Sequence, residues 1–163
     1  LADIAGLIAM AALGAVQAPL TGGPNQAIAA ALRTCIEATS AAGIDEARLR
    51  SAGWDAYDID LSKDDDGSSG MRVYNRGRGP ILLAGSGADS RETGCNVIAP
   101  LTTVSGFGAV VEAFSTELRA QPTERKPTEV FWVIGDKGIL LAATGGKTRP
   151  AVRATVVHTA EEK

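Results

Sequence analysis

Two stretches of this chain repeat apolar side chains every three or four residues, while much of the remainder alternates or is broken by glycine and proline. In the first, Ile28, Leu32, Cys35, Ile36 and Thr39 fall on one side of a helix that turns about every 3.6 residues, which predicts a buried stripe. Gly23-Pro24 suits its start, because a proline in the first turn gives up an N–H that has no helical partner, and Gly43 is expected at its exit. Asp45 is placed to cap a second, short helix, with Ile44 and Leu49 at the spacing of a hydrophobic staple and Gly53 as the stop. Trp54 is then expected to pack back under both helices and to need a partner for its indole N–H. The second periodic stretch is Phe107, Val110, Val111, Phe114 and Leu118, with Ser105 as the predicted N-cap and the helix ending before Pro122.

Between and after these helices the period falls to two. Tyr57, Ile59 and Leu61 are predicted on the core side of a strand, with Ala56, Asp58 and Asp60 on its other side. After a polar loop from Lys63 to Gly70, Met71 and Val73 alternate with Arg72, Tyr74 and Arg76. A hairpin with Asp58 opposite Arg72 brings Tyr57 near Val73 and opposite charges together on the polar side. Further strands are expected at Ile81–Ala84, Cys95–Leu101, Val130–Ile134, Ile139–Ala143 and Val152–Val157, with Gly135-Asp136-Lys137-Gly138 as a hairpin turn. The order predicts an α+β fold: an antiparallel sheet of about six or seven strands with two main helices packed on one face. It also suggests two loosely similar halves, each a helix followed by a meander, although no residue-level repeat supports this. No motif of a recognised family marks the chain.

Composition narrows the possible functions. A length of 163 residues suits one domain, expected over residues 19–163. A net charge of -3 and an aromatic content of 4% supply neither the attraction nor the stacking surface that nucleic acid needs. From Ile4 to Val16 the chain is uncharged and apolar, and Val16-Gln17-Ala18 has the small residues of a cleavage box, so residues 1–18 read as a secretory signal. Asp3 before the stretch and Pro19 after it fit the alternative, a hydrophobic N-terminal helix, and membrane tethering follows only from an uncleaved segment. The expected location is periplasmic or secreted.

That compartment bears on the two cysteines. A Cys35–Cys95 disulfide closes a loop of about 60 residues, stabilises by about 4 kcal/mol on the chain-entropy model, and requires Cα atoms within about 7 Å. The alternative is a pair of buried thiols; without Cys-x-x-Cys spacing or a nearby histidine, redox or metal chemistry has no support. His158, the single histidine, is expected at an exposed strand edge, and Gly85-Ser86-Gly87 lacks the flanks of a nucleophile elbow. Asp64-Asp65-Asp66-Gly67 resembles part of a calcium loop but puts Val73 where a bidentate glutamate is required, so a solvated loop is expected. Thr144-Gly145-Gly146-Lys147-Thr148 lacks the first glycine of a phosphate loop, since Leu141 stands there, and reads as a hairpin turn. Arg72, Tyr74, Arg76 and Arg78 form a basic stripe, in which Arg76, Arg78 and Tyr74 are the candidate binding contacts and Arg72 is expected to pair with Asp58 and Asp60.

Together these features predict an exported binding or structural domain with no catalytic constellation, no cofactor and no metal, whose partner is another protein. The alternative is a small-molecule or anion binder with a pocket between the sheet and the helix over residues 105–119. A third reading, a hydrolase, calls for a buried polar cluster with a serine or threonine near His158.

Overall fold

The computed structural model describes residues 23–58, 71–85 and 93–159. The first helix, α1 (Pro24–Ala38), buries Ile28, Leu32 and Cys35, with Ile36 packed at the margin of the core. Alanines 29, 31 and 38 widen the buried stripe and let the helix lie close to its neighbours. It ends earlier than Gly43: Thr39 leaves in extended conformation with its hydroxyl donating to the Cys35 carbonyl at 2.7 Å. A small ribbon follows, β1 (Thr39–Ser40) paired with β2 (Gly43–Ile44), and Gly43 takes the positive φ of its turn. Asp45 caps α2 (Glu46–Ser51) by accepting from the Arg48 N–H, and Leu49 and Ile44 pack into the core. Trp54 is buried as expected, but its indole N–H makes no hydrogen bond.

The main sheet is fully antiparallel. Its strands are β3 (Asp55–Asp58), β4 (Met71–Asn75), β5 (Ile81–Gly85), β6 (Cys95–Pro100), β7 (Glu124–Arg125), β8 (Glu129–Ile134), β9 (Lys137–Gly146) and β10 (Arg149–His158). Their spatial order is β3-β4-β5-β6-β10-β9-β8-β7, so two meanders meet at the β6–β10 pair. The eighth strand, β7, lies within what the sequence marks only as a connector. Between β6 and β7 runs α3 (Gly106–Leu118), which buries Phe107, Val110, Val111 and Phe114. Ser105 precedes it but does not cap it with its side chain; its hydroxyl lies 2.9 Å from that of Thr103 instead.

One line of cross-strand partners shows that both helices cover the same face. Cys95, Val156, Ile139 and Trp132 stand in one row across β6, β10, β9 and β8. The row is anchored to α1 by the Cys35–Cys95 disulfide, with Cα atoms 5.4 Å apart, and to α3 by Phe114, whose ring centroid is 6.0 Å from that of Trp132. The helices also run in the same sense: α1 starts beside Pro100, α3 starts shortly after it, and Arg33 and Glu117 pair near their far ends. The two meanders are opposed whereas their helices are parallel, so the halves share an order of elements and not a repeated arrangement.

The predicted register of the first hairpin holds, with Asp58 opposite Arg72 and Tyr57 opposite Val73, but its facing is the reverse of the prediction. Tyr74 is fully buried in the row of Leu82 and Val97, while Tyr57 is 52% exposed on the other face. Alternation by itself does not say which side is inside. Pairing to β5 and β6 decides it, because Leu82, Ala84, Cys95 and Val97 must meet the helices. Arg72 is thereby turned toward the helix layer, where Glu46 of α2 supplies a carboxylate partner. The expected pairing with Asp60 and the placement of Ile59 and Leu61 lie outside the described residues.

The sheet face away from the helices is also apolar. Its central row reads Tyr57, Val73, Leu83, Asn96, Thr155, Leu140 and Phe131, and among the described residues no helix or strand lies over it.

Candidate functional site

A cavity of about 300 Å³ opens where the start of α1, the turn before β5 and the end of β6 come together. Pro24, Ala27 and Ile28 form the helix wall, and Ala99 and Pro100 the strand wall. The third side is Arg78-Gly79-Pro80. This turn exists because Gly77 and Gly79 hold φ values of +69° and +154°, which L side chains rarely adopt, before Pro80 leads the chain into β5. The walls are apolar and well ordered by packing, with Ile28 and Ala99 each only 2% exposed.

The electrostatics of the cavity have one sign. Arg78 is exposed, and among the described residues no carboxylate pairs with it. The first turn of α1 contains no acidic side chain, and among the described residues no side chain caps it, so the helix start adds partial positive charge to this end of the cavity. Apolar walls with one unpaired guanidinium at the rim can hold a small organic anion by its charge and its hydrocarbon part together.

The other members of the predicted basic stripe are elsewhere. Tyr74 is inside the core, so it is no surface contact. Its hydroxyl makes no hydrogen bond; burial pushes its pKa up, and the nearby Glu46 carboxylate pushes it further. Arg76 lies over Gly53, at the stop of α2, and away from the cavity lining. Of the three candidates, Arg78 is the one that lines this cavity. The pocket expected between the sheet and α3 is not where this cavity lies, and the inward side of α3 is filled by Phe107, Val110, Val111 and Phe114.

His158 differs from the exposed edge residue expected. Its side chain is 24% exposed, faces the helix side of the sheet opposite Lys137, and places Nδ1 3.0 Å from a carboxylate oxygen of Asp136 without hydrogen-bond geometry. The buried Lys137 donates to the other oxygen of Asp136 at 2.7 Å, and this hydrogen bond is the main reason the Asp136 pKa is lowered. Thr159, next to His158, donates its backbone N–H to the Asp136 carbonyl at 2.8 Å, and among the described residues no serine or threonine hydroxyl hydrogen-bonds to this group. The cluster ties the β8–β9 turn to the end of β10.

The remaining sequence candidates resolve simply. Lys147 and Thr148 form the tip of the β9–β10 hairpin, with Gly146 paired to Arg149, as the turn reading requires. The aspartates at 64–66 and Ser86 lie outside the described residues, as do residues 1–18. Among the described residues no three His, Cys, Asp or Glu side chains gather as a metal site, and no helix is long and apolar enough to cross a membrane.

Sequence reasoning identified Arg78 but not the cavity. Pro24 and Pro80 mark element boundaries in the sequence, and nothing local to either says that the two meet beside Pro100. No known protein family, curated protein or solved structure matches this chain.

Proposed function

We propose that the chain is an exported binding protein that holds a compact organic anion in the cavity beside Arg78 and carries out no covalent chemistry. The observation behind this reading is the cavity itself: about 300 Å³ of apolar wall with an unpaired cation at its mouth. That size is at the lower end of small-molecule pockets, which favours a ligand of one anionic group on a short hydrocarbon body. The Cys35–Cys95 disulfide supports export, since such bonds persist in oxidising compartments.

Octanoate, octanol and octylamine separate charge recognition from simple apolar binding. Octanoate at about 100 times its Kd is expected to stabilise the protein by about 2.7 kcal/mol, seen as a raised Tm, with little shift from the other two. Arg78→Ala removes a charge-assisted contact and is expected to weaken octanoate binding by about tenfold or more. Ala27→Phe, which fills the cavity from the helix side, is expected to abolish it. Equal shifts from octanoate and octanol, or an unchanged Kd in Arg78→Ala, would sink the proposal. The mass of the native protein, with and without reductant, tests cleavage after Ala18 and oxidation together.

A further inference from the structure

Among the described residues nothing covers the outer face of the sheet, and that face combines features that normally do not stay in water. In its central row, Tyr57 is 52% exposed and Leu140 36% exposed, with Val73, Leu83 and Phe131 beside them. Val133 in the neighbouring row is 48% exposed. The only polar pair in the central row satisfies itself: Thr155 donates to the Asn96 side-chain oxygen at 2.7 Å, and the Asn96 amide donates to the Thr93 carbonyl at 3.1 Å. The row ends on β7 at Glu124, the partner of Phe131, whose carboxylate is paired with Lys126 at 3.0 Å, so covering the row breaks no protein hydrogen bond and leaves its one carboxylate with a partner.

The adjacent row carries charges of both signs. Arg153, Ala142 and Glu129 are cross-strand neighbours on β10, β9 and β8, and both charged side chains are exposed with no ion pair to each other. They stand two strand spacings apart, about 10 Å, on either side of β9. A two-fold interface uses the same patch on both copies, so opposite charges in mirrored positions on an apolar patch complement a second copy. A two-fold axis lying along β9 exchanges β8 with β10, so it sets Arg153 against Glu129 of the second copy twice and stacks Leu140 on its own counterpart. We infer that this chain forms a face-to-face dimer through the outer surface of β6, β10, β9, β8 and β7, with the two-fold axis along β9.

Five strands spaced about 4.8 Å apart and about 20 Å long give a footprint on the order of 500 Å² per copy. Stable interfaces cover about 800 Å² per partner, so the dimer is weak, with a Kd in the micromolar range. The inference does not depend on the anion site, which lies on the helix side of the sheet.

Sedimentation equilibrium between about 1 and 300 µM tests it directly, because that span brackets a micromolar Kd. The wild-type mass is expected to climb toward twice that of the chain. Leu140→Glu puts a charge at an already exposed position, so its circular dichroism should match wild type while its mass stays that of one chain. Arg153→Glu and Glu129→Arg should each weaken association by about tenfold, and the double reversal should restore it, since like charges replace opposite ones only in the single variants. A wild-type mass that stays constant throughout, a Leu140→Glu protein that still dimerises, or a double reversal no better than either single change would each overturn the inference.

Discussion

Tyr74 shows most clearly how a residue's position in the fold can oppose what its neighbours in sequence imply. Between two arginines it reads as part of a polar stripe, yet it is one of the largest fully buried side chains, and its hydroxyl lacks a hydrogen bond. Burial, and then the Glu46 carboxylate, raise its pKa above the ordinary phenol value of about 10. Below that ordinary value the phenol is neutral in both folded and unfolded chains and its titration has no effect. As pH rises past about 10 the unfolded chain ionises first, so stability falls until the raised folded value is passed. Tyr74→Phe is expected to change stability at neutral pH by less than about 1 kcal/mol, because no hydrogen bond is lost. The same variant should lose less stability than wild type between pH 8 and about 11 in urea titrations, and identical losses would show that Tyr74 is not the group responsible.

At the scale of elements, the sequence located α1 and α3 through their stripes and α2 through its Asp45 cap, because helix periodicity and capping are local. What fastens α1 to the sheet is the bond between Cys35 and Cys95, 60 residues apart in sequence. Replacing both cysteines with alanine is expected to cost about 4 kcal/mol, read from the urea midpoint under non-reducing conditions. A loss under about 1 kcal/mol would mean that the unfolded chain is already restricted over this stretch. The two-residue β7 was not legible at all. Glu124 and Arg125 are both exposed, so nothing in their pattern points to a strand, and only the edge of β8 makes them one.

In the whole molecule the central seam is β6 against β10, joined from Cys95–Val156 to Pro100–Ala151. Each meander ends there, and α1 packs on both strands. A fragment of residues 23–100 would expose the edge of β6 and leave α1 half uncovered, and a fragment of residues 101–159 would do the same to β10 and α3. Neither is expected to fold alone, and far-UV circular dichroism of the separate fragments checks this; a cooperative melt from either would show that the seam is dispensable. The bond between the cysteines is seen in the structure, while the sequence by itself determined the fold class, the two amphipathic helices, the pairing partners of the first hairpin and the two cysteines available to a bridge. All of these follow from periodicity, turn residues and cysteine count, which neighbouring residues specify. Only the tertiary structure decided which face of each strand is inside, that Arg72 meets Glu46, that β7 exists, and that Pro24, Arg78 and Pro100 enclose a cavity. Those outcomes depend on what lies across the sheet or against a distant helix, and an alternating strand satisfies its own local rules whichever way it is turned.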